Sequence, residues 1–494
     1  MTEAGTVLAR RMGLLGLTAT GICAMMGAAI NVMPIMLQRN VPGIGPHVLY
    51  AYALGAVPAI LAALAYAILA SAMPRAGGSY VFASRSLSPY LGFVASFSQW
   101  FGLSIAIGVV SYLLIPFLRD VAAALDFAAL AALLDAGPVR VGLALALVWL
   151  SAVVNLLGVE LYERILVPLM FLMFAGGAVV IVAGFGHDHA DFAAALAAQE
   201  GVGLPAPPAA PIDFGKLLAA AAILFGSFIG FDAIAQAGGE ARRPGRNLPL
   251  AIALAVTVVG SFYMLFTAAV YHAVPWGFVA ERAQTADLTA PGLLGYLLAP
   301  GWTVAIIAGA AIALINDLPA MILAVSRLMF AWAEDGIFPA FVARVHRRFR
   351  TPHVAIALAS AMASLGILGS HWAGDFFLGV DLLVTSMLVN FLLMCLAVLF
   401  LPRTNPRLAG EIRFVRSRPV QVAIGVSGTA LLVVLLVFHV RKDLGAELSG
   451  WYFHSTWLWL GTMAVASLVF AGEWRRLARR GVDLEARFAD LPPE

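Results

Sequence analysis

Asp232, Asp317 and Asp381 fall inside long apolar stretches of the sequence. A charged side chain at the centre of a membrane-spanning helix costs about 2.5–3.5 kcal/mol on insertion scales. A carboxyl group in a low-dielectric setting favours its neutral form, so such a residue can load and release a proton near neutral pH, hold a cation, or serve as a paired structural group. Asp381 lies near the outer end of its stretch, within reach of water, and reads as structural. Asp232 and Asp317 lie near mid-stretch and read as functional. Two clusters of small residues accompany them. One is Gly27-Ala28-Ala29, followed by Asn31 and Pro34; the other is Gly226-Ser227-Phe228-Ile229-Gly230-Phe231, directly before Asp232. Glycine lowers helix propensity by about 1 kcal/mol relative to alanine, and irregular backbone at membrane depth is tolerated only where protein or a water-filled cavity surrounds it. The clusters therefore have two readings: close helix packing through small residues, which spacing alone favours, or interrupted helices whose free amides and half-helix dipoles bind a charged solute.

The elements that must position these residues follow from composition. The chain of 494 residues is 62% apolar and 12% charged, against roughly 25% charged in soluble domains, and its mean hydropathy is +0.93. Its surplus apolar surface must face lipid. A helix of about 20 apolar residues covers a bilayer core of roughly 30 Å. Twelve such stretches are expected, at 13–37, 47–72, 89–118, 140–158, 162–186, 216–239, 248–274, 299–333, 353–370, 375–401, 419–440 and 452–472. The first is too long for a signal-peptide core.

With the N-terminus inside, 22 of the 30 Lys and Arg residues fall in inner segments and 7 in outer ones, Arg327 being within the eighth stretch. By the positive-inside rule, this sets both termini in the cytoplasm and the protein in the cell membrane. Arg327 is expected to orient its helix end by snorkelling, within reach of Glu334 or Asp335, and His272 to sit at the outer interface. The Arg-rich tail after Gly472 is read as a solvated terminus. A net charge of +3 implies no nucleic-acid partner, and Cys23 and Cys395, the only cysteines, lie in apolar runs that offer neither a disulfide framework nor a metal site. No cofactor is implied. An enzyme would need a reactive constellation at an interface, and none is present, so the chain is read as non-enzymatic.

The long linker 187–215 separates five stretches from five more, with two beyond. Five being odd, the second group would begin on the opposite side of the membrane, as in the inverted repeats of secondary transporters. The expected organisation is a cytoplasmic segment 1–12, a first repeat 13–186, the linker 187–215, a second repeat 216–401, two added helices over 402–472 and a tail 473–494.

Pro74, Ala76, Gly77, Gly78, Tyr80 and Arg85 form a P-x-A-G-G-x-Y-x-x-x-x-R segment between the second and third stretches. In order with it stand Gly21 to Pro34, Phe228 to Asp232 continuing to Glu240, Pro244 and Pro249, and Ser326-Arg327 through Asp335 and Pro339 to Pro352. Over about residues 10–402 these blocks resemble the amino acid–polyamine–organocation transporters. The resemblance implies an all-α membrane fold of twelve helices, a 5+5 inverted repeat with helices 1 and 6 broken, and two extra C-terminal helices. It favours the interrupted-helix reading over mere packing.

By position, the resemblance implies that Gly27, Ala28 and Ala29 bind a substrate carboxylate through backbone amides, with Asn31 replacing a hydroxyl that relatives carry there. Ser227, Phe228 and Gly230 stand where carbonyls receive a substrate amine, Gly226 replaces a bulky aromatic gate, and Phe228 and Phe231 would close over the substrate. Asp232 matches an acid linked to proton coupling or gating. The lysine some proton-coupled members carry in helix 5 is replaced by Met173 or a neighbour. Helix 8 offers Asn316-Asp317 instead of the Ser/Thr pair of a sodium site, so Asp317 could bind a cation, carry the coupling proton or hold a substrate amine. The implied activity is secondary active transport of an amino acid or related amine, coupled to protons or exchange, by a monomer or homodimer; sodium-coupled symport and a non-transporting nutrient sensor are the alternatives.

Overall fold

The computed structural model describes residues 8–27, 29–206, 210–373, 376–446 and 454–492. Among them twelve helices are long and apolar enough to cross a membrane: Leu14–Asn40, Gly45–Ala72, Pro89–Ala124, Gly137–Leu156, Val159–Gly186, Phe214–Gln236, Pro244–Ala273, Pro300–Glu334, His353–Trp372, Leu378–Thr404, Arg418–Leu444 and Ser455–Arg479, here spans 1 to 12. The described residues contain no strand, only isolated bridges joining Met12 to Ala241 and Ala76 to Ala237. The chain is a multi-pass helical membrane protein, as its apolar periodicity requires. The connections after spans 3 and 5 carry helices of their own, Ala128–Asp135 and His189–Glu200.

Spans 1 and 6 are interrupted. Span 1 is helical over Leu14–Met25 and again over Ala29–Asn40; Ala28 lies outside the described residues. The carbonyl of Met25, freed at the break, accepts a 2.5 Å hydrogen bond from Tyr263 Oη of span 7, so the irregular backbone is satisfied inside the protein. Span 6 is helical over Phe214–Phe225, tightens to a 3-10 turn at Gly226–Phe228, passes through an extended Ile229, and resumes at Asp232–Gln236. Gly230 makes the reversal at φ +137°, and a Cβ there would lie 2.4 Å from the backbone of Ala24. Only glycine has both the backbone freedom and the room for this crossing of the two breaks.

The Pro-Arg-Ala-Gly-Gly segment is explained by the same crowding. Gly77 adopts φ +77° and starts the short helix Gly78–Ser86, and a Cβ on it would collide with Ala331 of span 8 at 2.2 Å. The segment is wedged between spans 6 and 8 at the basic end of the bundle.

That end departs from expectation in two respects. Arg327 is not directed to Glu334 or Asp335. Its guanidinium is fully buried and holds Glu240, beyond span 6, through Nη2 at 2.6 Å and Nε at 3.1 Å. Asp335 is taken instead by Arg85, through Nη1 at 2.5 Å and Nη2 at 3.0 Å. Buried guanidinium groups need planar bidentate partners more than they need water, and tertiary packing brings both acids within reach. Second, the tail is docked rather than solvated. Helix Leu484–Ala489 buries Phe488 against Trp474 and over the Arg85 guanidinium, 4.9 Å from the ring centroid. Arg85 Nε donates to the Asp490 carbonyl at 3.0 Å, and Arg487 Nη2 to that of Glu334 at 2.8 Å.

Candidate functional site

Where the two breaks face each other, a cavity of about 80 Å³ is lined by spans 1, 3, 6, 8 and 10. Its walls include Met25 and Gly27 from span 1, Gly226 and Ile229 from span 6, and Leu383 from span 10, and Asp317 is the one ionisable residue among the described residues that line it. Span 8 delivers Asp317 at 5% exposure. Its Oδ1 has no hydrogen-bond partner among the described residues, and a Cβ built on Gly27 would be 2.2 Å from its Oδ2. The carboxylate thus lies against the glycine of the span 1 break. Neighbouring Asn316 turns the other way, its Nδ2 donating to the Leu166 carbonyl at 3.1 Å and to Cys23 Sγ at 3.0 Å.

Asp232 is placed elsewhere. It is fully buried behind the span 6 break, where Oδ1 accepts the Gly230 N–H at 3.0 Å and Oδ2 accepts from Gln99 Nε2 of span 3. Gln99 Oε1 in turn accepts from Ser79 Oγ and from Gln236 Nε2, the latter at 3.1 Å. The carboxylate therefore satisfies an amide freed by the break and links it to span 3 and to the short helix after span 2. A network of this kind responds as a unit when one member changes protonation.

The remaining candidates divide. Gly27 and Gly226 line the central cavity. Asn31 lines a separate small cavity with Met26, Met173 and Gly176, toward spans 5 and 8. Ser227 is buried, with its Oγ unpartnered. Phe228 packs edge-on to Tyr52 and Tyr263, and Phe231 stacks on Phe391 at 4.9 Å and meets Tyr66. Ala29 opens the second half-helix of span 1. Sequence reasoning missed the wall from span 10, where Gly379 and Leu383 complete the cavity; a glycine in an apolar run was the only available signal. Asp381, on the same span, stands 4.0 Å from Lys442 of span 11.

Polar contacts gather on the basic side of the cavity. Ten residues beyond Asp317 on span 8, about 15 Å by helix rise, stands the buried Arg327–Glu240 pair. Next to it the Met12 N–H donates to the Glu240 carbonyl at 2.9 Å, and the Arg242 N–H to the Met12 carbonyl at 2.8 Å.

Twelve spans, two of them interrupted around a cavity with a single carboxylate among the described residues that line it, have the architecture of a membrane transporter. Its family follows from comparison: the amino acid permease model matches residues 12–465, and the chain belongs to that family. It is 28% identical over 416 residues to the branched-chain amino acid permease BcaP of Bacillus subtilis, covering 81% of this chain and 83% of that one. It is 27% identical over 385 residues to the mouse cationic amino acid transporter 4, covering 73% of this chain and 55% of that protein. It is also 27% identical over 346 residues to the low-affinity putrescine importer PlaP of Escherichia coli, covering 70% of each.

Proposed function

We propose that the protein is a secondary active permease that moves an amino acid or related amine across the cell membrane by alternating access. In this reading it works as a proton-coupled symporter or exchanger, its basic face is cytoplasmic, and segments 13–186 and 216–401 act as inverted repeats. The observation that carries this is Asp317, whose Oδ1 has no partner among the described residues, in an otherwise apolar cavity at the meeting of two interrupted helices. Its charge is left for a proton or a solute ammonium to neutralise, and the apolar walls suit a hydrocarbon side chain. In this reading loading involves a swing of spans 1 and 6 from their neighbours, and the buried Arg327–Glu240 pair toward the basic face puts the start of loading on the opposite side. Asp232 senses that swing through Gly230 and Gln99.

One observation favours an amine over an α-amino acid. Asp317 lies against Gly27, where a substrate carboxylate would seek the amides of the second half-helix. Two carboxylates would compete for that place, unless Asp317 is protonated first. A substrate without a carboxylate avoids the conflict, and one relative is named for putrescine import.

The test is a thermal-shift screen of purified protein against amino acids, polyamines and the amines made by decarboxylating those amino acids, since a ligand that binds the folded state raises apparent stability by mass action. Hits are then followed as uptake into vesicles with and without a proton gradient. A shift from amines but not their parent amino acids supports the amine reading; no shift from either class defeats the proposal. Uptake that needs sodium at constant proton gradient would transfer the coupling role to that ion.

A further inference from the structure

The connector after span 6 and the connector after span 10 meet beneath the end of span 2. Ser71 Oγ, in the last turn of span 2, accepts the backbone N–H groups of Arg413 at 3.2 Å and Phe414 at 3.3 Å. Gly245, in the first turn of span 7, faces the Ser71 carbonyl, which a Cβ would meet at 3.6 Å. Between the connectors lies an open cavity of about 570 Å³. Arg243, Arg246 and Arg413 form its polar wall, and Pro249, Leu250 and Phe414 its apolar wall.

Its chemistry is one-sided. The lining contains no acid, and neither does the first turn of span 7. Arg413 has only Glu411 nearby, at 3.6 Å, with both side chains more than half exposed. The residue before the 30-residue span 7 is Arg243, held at φ +46°, which offers no side-chain oxygen to the helix amides. Three arginines and the positive end of a long helix thus line one cavity whose other wall is hydrocarbon. Guanidinium groups pair with phosphate oxygens in a planar, bidentate manner, and basic pockets between spans at a membrane boundary suit anionic headgroups.

We propose that this cavity binds the headgroup of an anionic phospholipid, with its phosphate against Arg243, Arg246 and Arg413 and the root of its acyl chain along Leu250 and Phe414. Inorganic phosphate shares the oxyanion chemistry but would leave the apolar wall wet, so the lipid is the better match. Occupancy ties the two connectors together three residues from Glu240, the partner of Arg327, and so restrains the closed basic face. The inference rests on reading this face as a membrane boundary and not on which solute is carried, so binding is measured apart from transport.

The experiment compares purified protein in nanodiscs of phosphatidylcholine with and without phosphatidylglycerol, and in phosphatidylcholine with millimolar inorganic phosphate. Thermal unfolding and native mass spectrometry of retained lipid are the readouts. The expected result is an unfolding midpoint several degrees higher with phosphatidylglycerol, retention of that lipid over phosphatidylcholine, and no rise with phosphate. In R243Q/R246Q/R413Q the increment and the retention are expected to vanish while the midpoint in phosphatidylcholine stays near that of the parent. Equal retention of both lipids by the parent overturns the proposal without reference to any variant. So does a full increment in the triple variant, or in the single R246E should the triple fail to fold. A rise reproduced by phosphate alone also overturns it, making the cavity a soluble-anion site.

Discussion

Gly27 and Asp317 occupy one place: the glycine of the span 1 break lacks a side chain where the span 8 carboxylate needs room, and a Cβ there would stand 2.2 Å from Oδ2. Gly27→Ala is therefore expected to displace Asp317 and abolish transport. The double variant Gly27→Ala/Asp317→Ala should be more stable than the sum of the single changes implies, with a coupling of about 0.5–3 kcal/mol for groups in direct contact. Thermal unfolding of the four proteins of the cycle measures it, and additivity would separate the two residues.

Asp317→Asn keeps the shape and removes the charge. If the carboxylate holds a substrate ammonium, the loss of a charge-assisted hydrogen bond of about 1.5–3 kcal/mol weakens binding roughly tenfold to a hundredfold. Calorimetric titration of the best ligand from the screen reads this directly, and an unchanged affinity would assign Asp317 to coupling alone.

Asp232→Asn leaves an oxygen for the Gly230 amide but faces Gln99 with an amide instead of a carboxylate. Substrate binding is expected to survive while uptake stops following the proton gradient. Reconstituted vesicles examined across a pH series decide the matter; uptake with unaltered pH dependence counts against a coupling role.

Arg327→Gln should lower stability by about 3–5 kcal/mol, because it strands Glu240 as a buried, uncompensated charge. Replacing both partners with apolar residues of similar volume is expected to cost far less. Comparison of unfolding midpoints distinguishes a pair that holds the fold from one that serves chiefly to close the basic face; in the latter case the double variant is stable but leaky.

Phe488→Ala removes the ring lying on Arg85 and Trp474. A loss of about 0.5–3 kcal/mol is expected, together with faster hydrogen exchange over 484–490. Exchange equal to that of the parent would mean that the docked tail is held by its backbone contacts alone.

The twelve spans were legible in the sequence because bilayer thickness fixes how long an apolar run must be; the breaks in spans 1 and 6 were legible only through the family resemblance, since the small-residue clusters alone favoured close packing. The directions of side chains beyond those breaks were not legible. Helical periodicity assigns faces only while the helix is continuous; the interruption after Met25 resets the phase, so Asn31 faces Met173 and Gly176 rather than the central cavity. Phe228 and Phe231 are redirected in the same way by the 3-10 turn and the reversal at Gly230, and they pack on Tyr263 and Phe391. The partner of Arg327 was hidden for another reason. Glu334 and Asp335 are its neighbours along the helix, whereas Glu240 is 87 positions away and reaches it only through the packing of span 6 on span 8. Span 10 was missed because a cavity wall of glycine and leucine reads like a lipid-facing surface.

Met12 exchanges both of its backbone hydrogen bonds with the connector after span 6, and that connector's Glu240 grips span 8. The approach to the first interrupted helix and the exit from the sixth thus share a single hinge pin, placed at the basic end of the bundle beyond the spans themselves. A tilt of either half-helix at that end is therefore expected to be felt by the other, because the two approaches to the breaks are joined backbone to backbone through Met12.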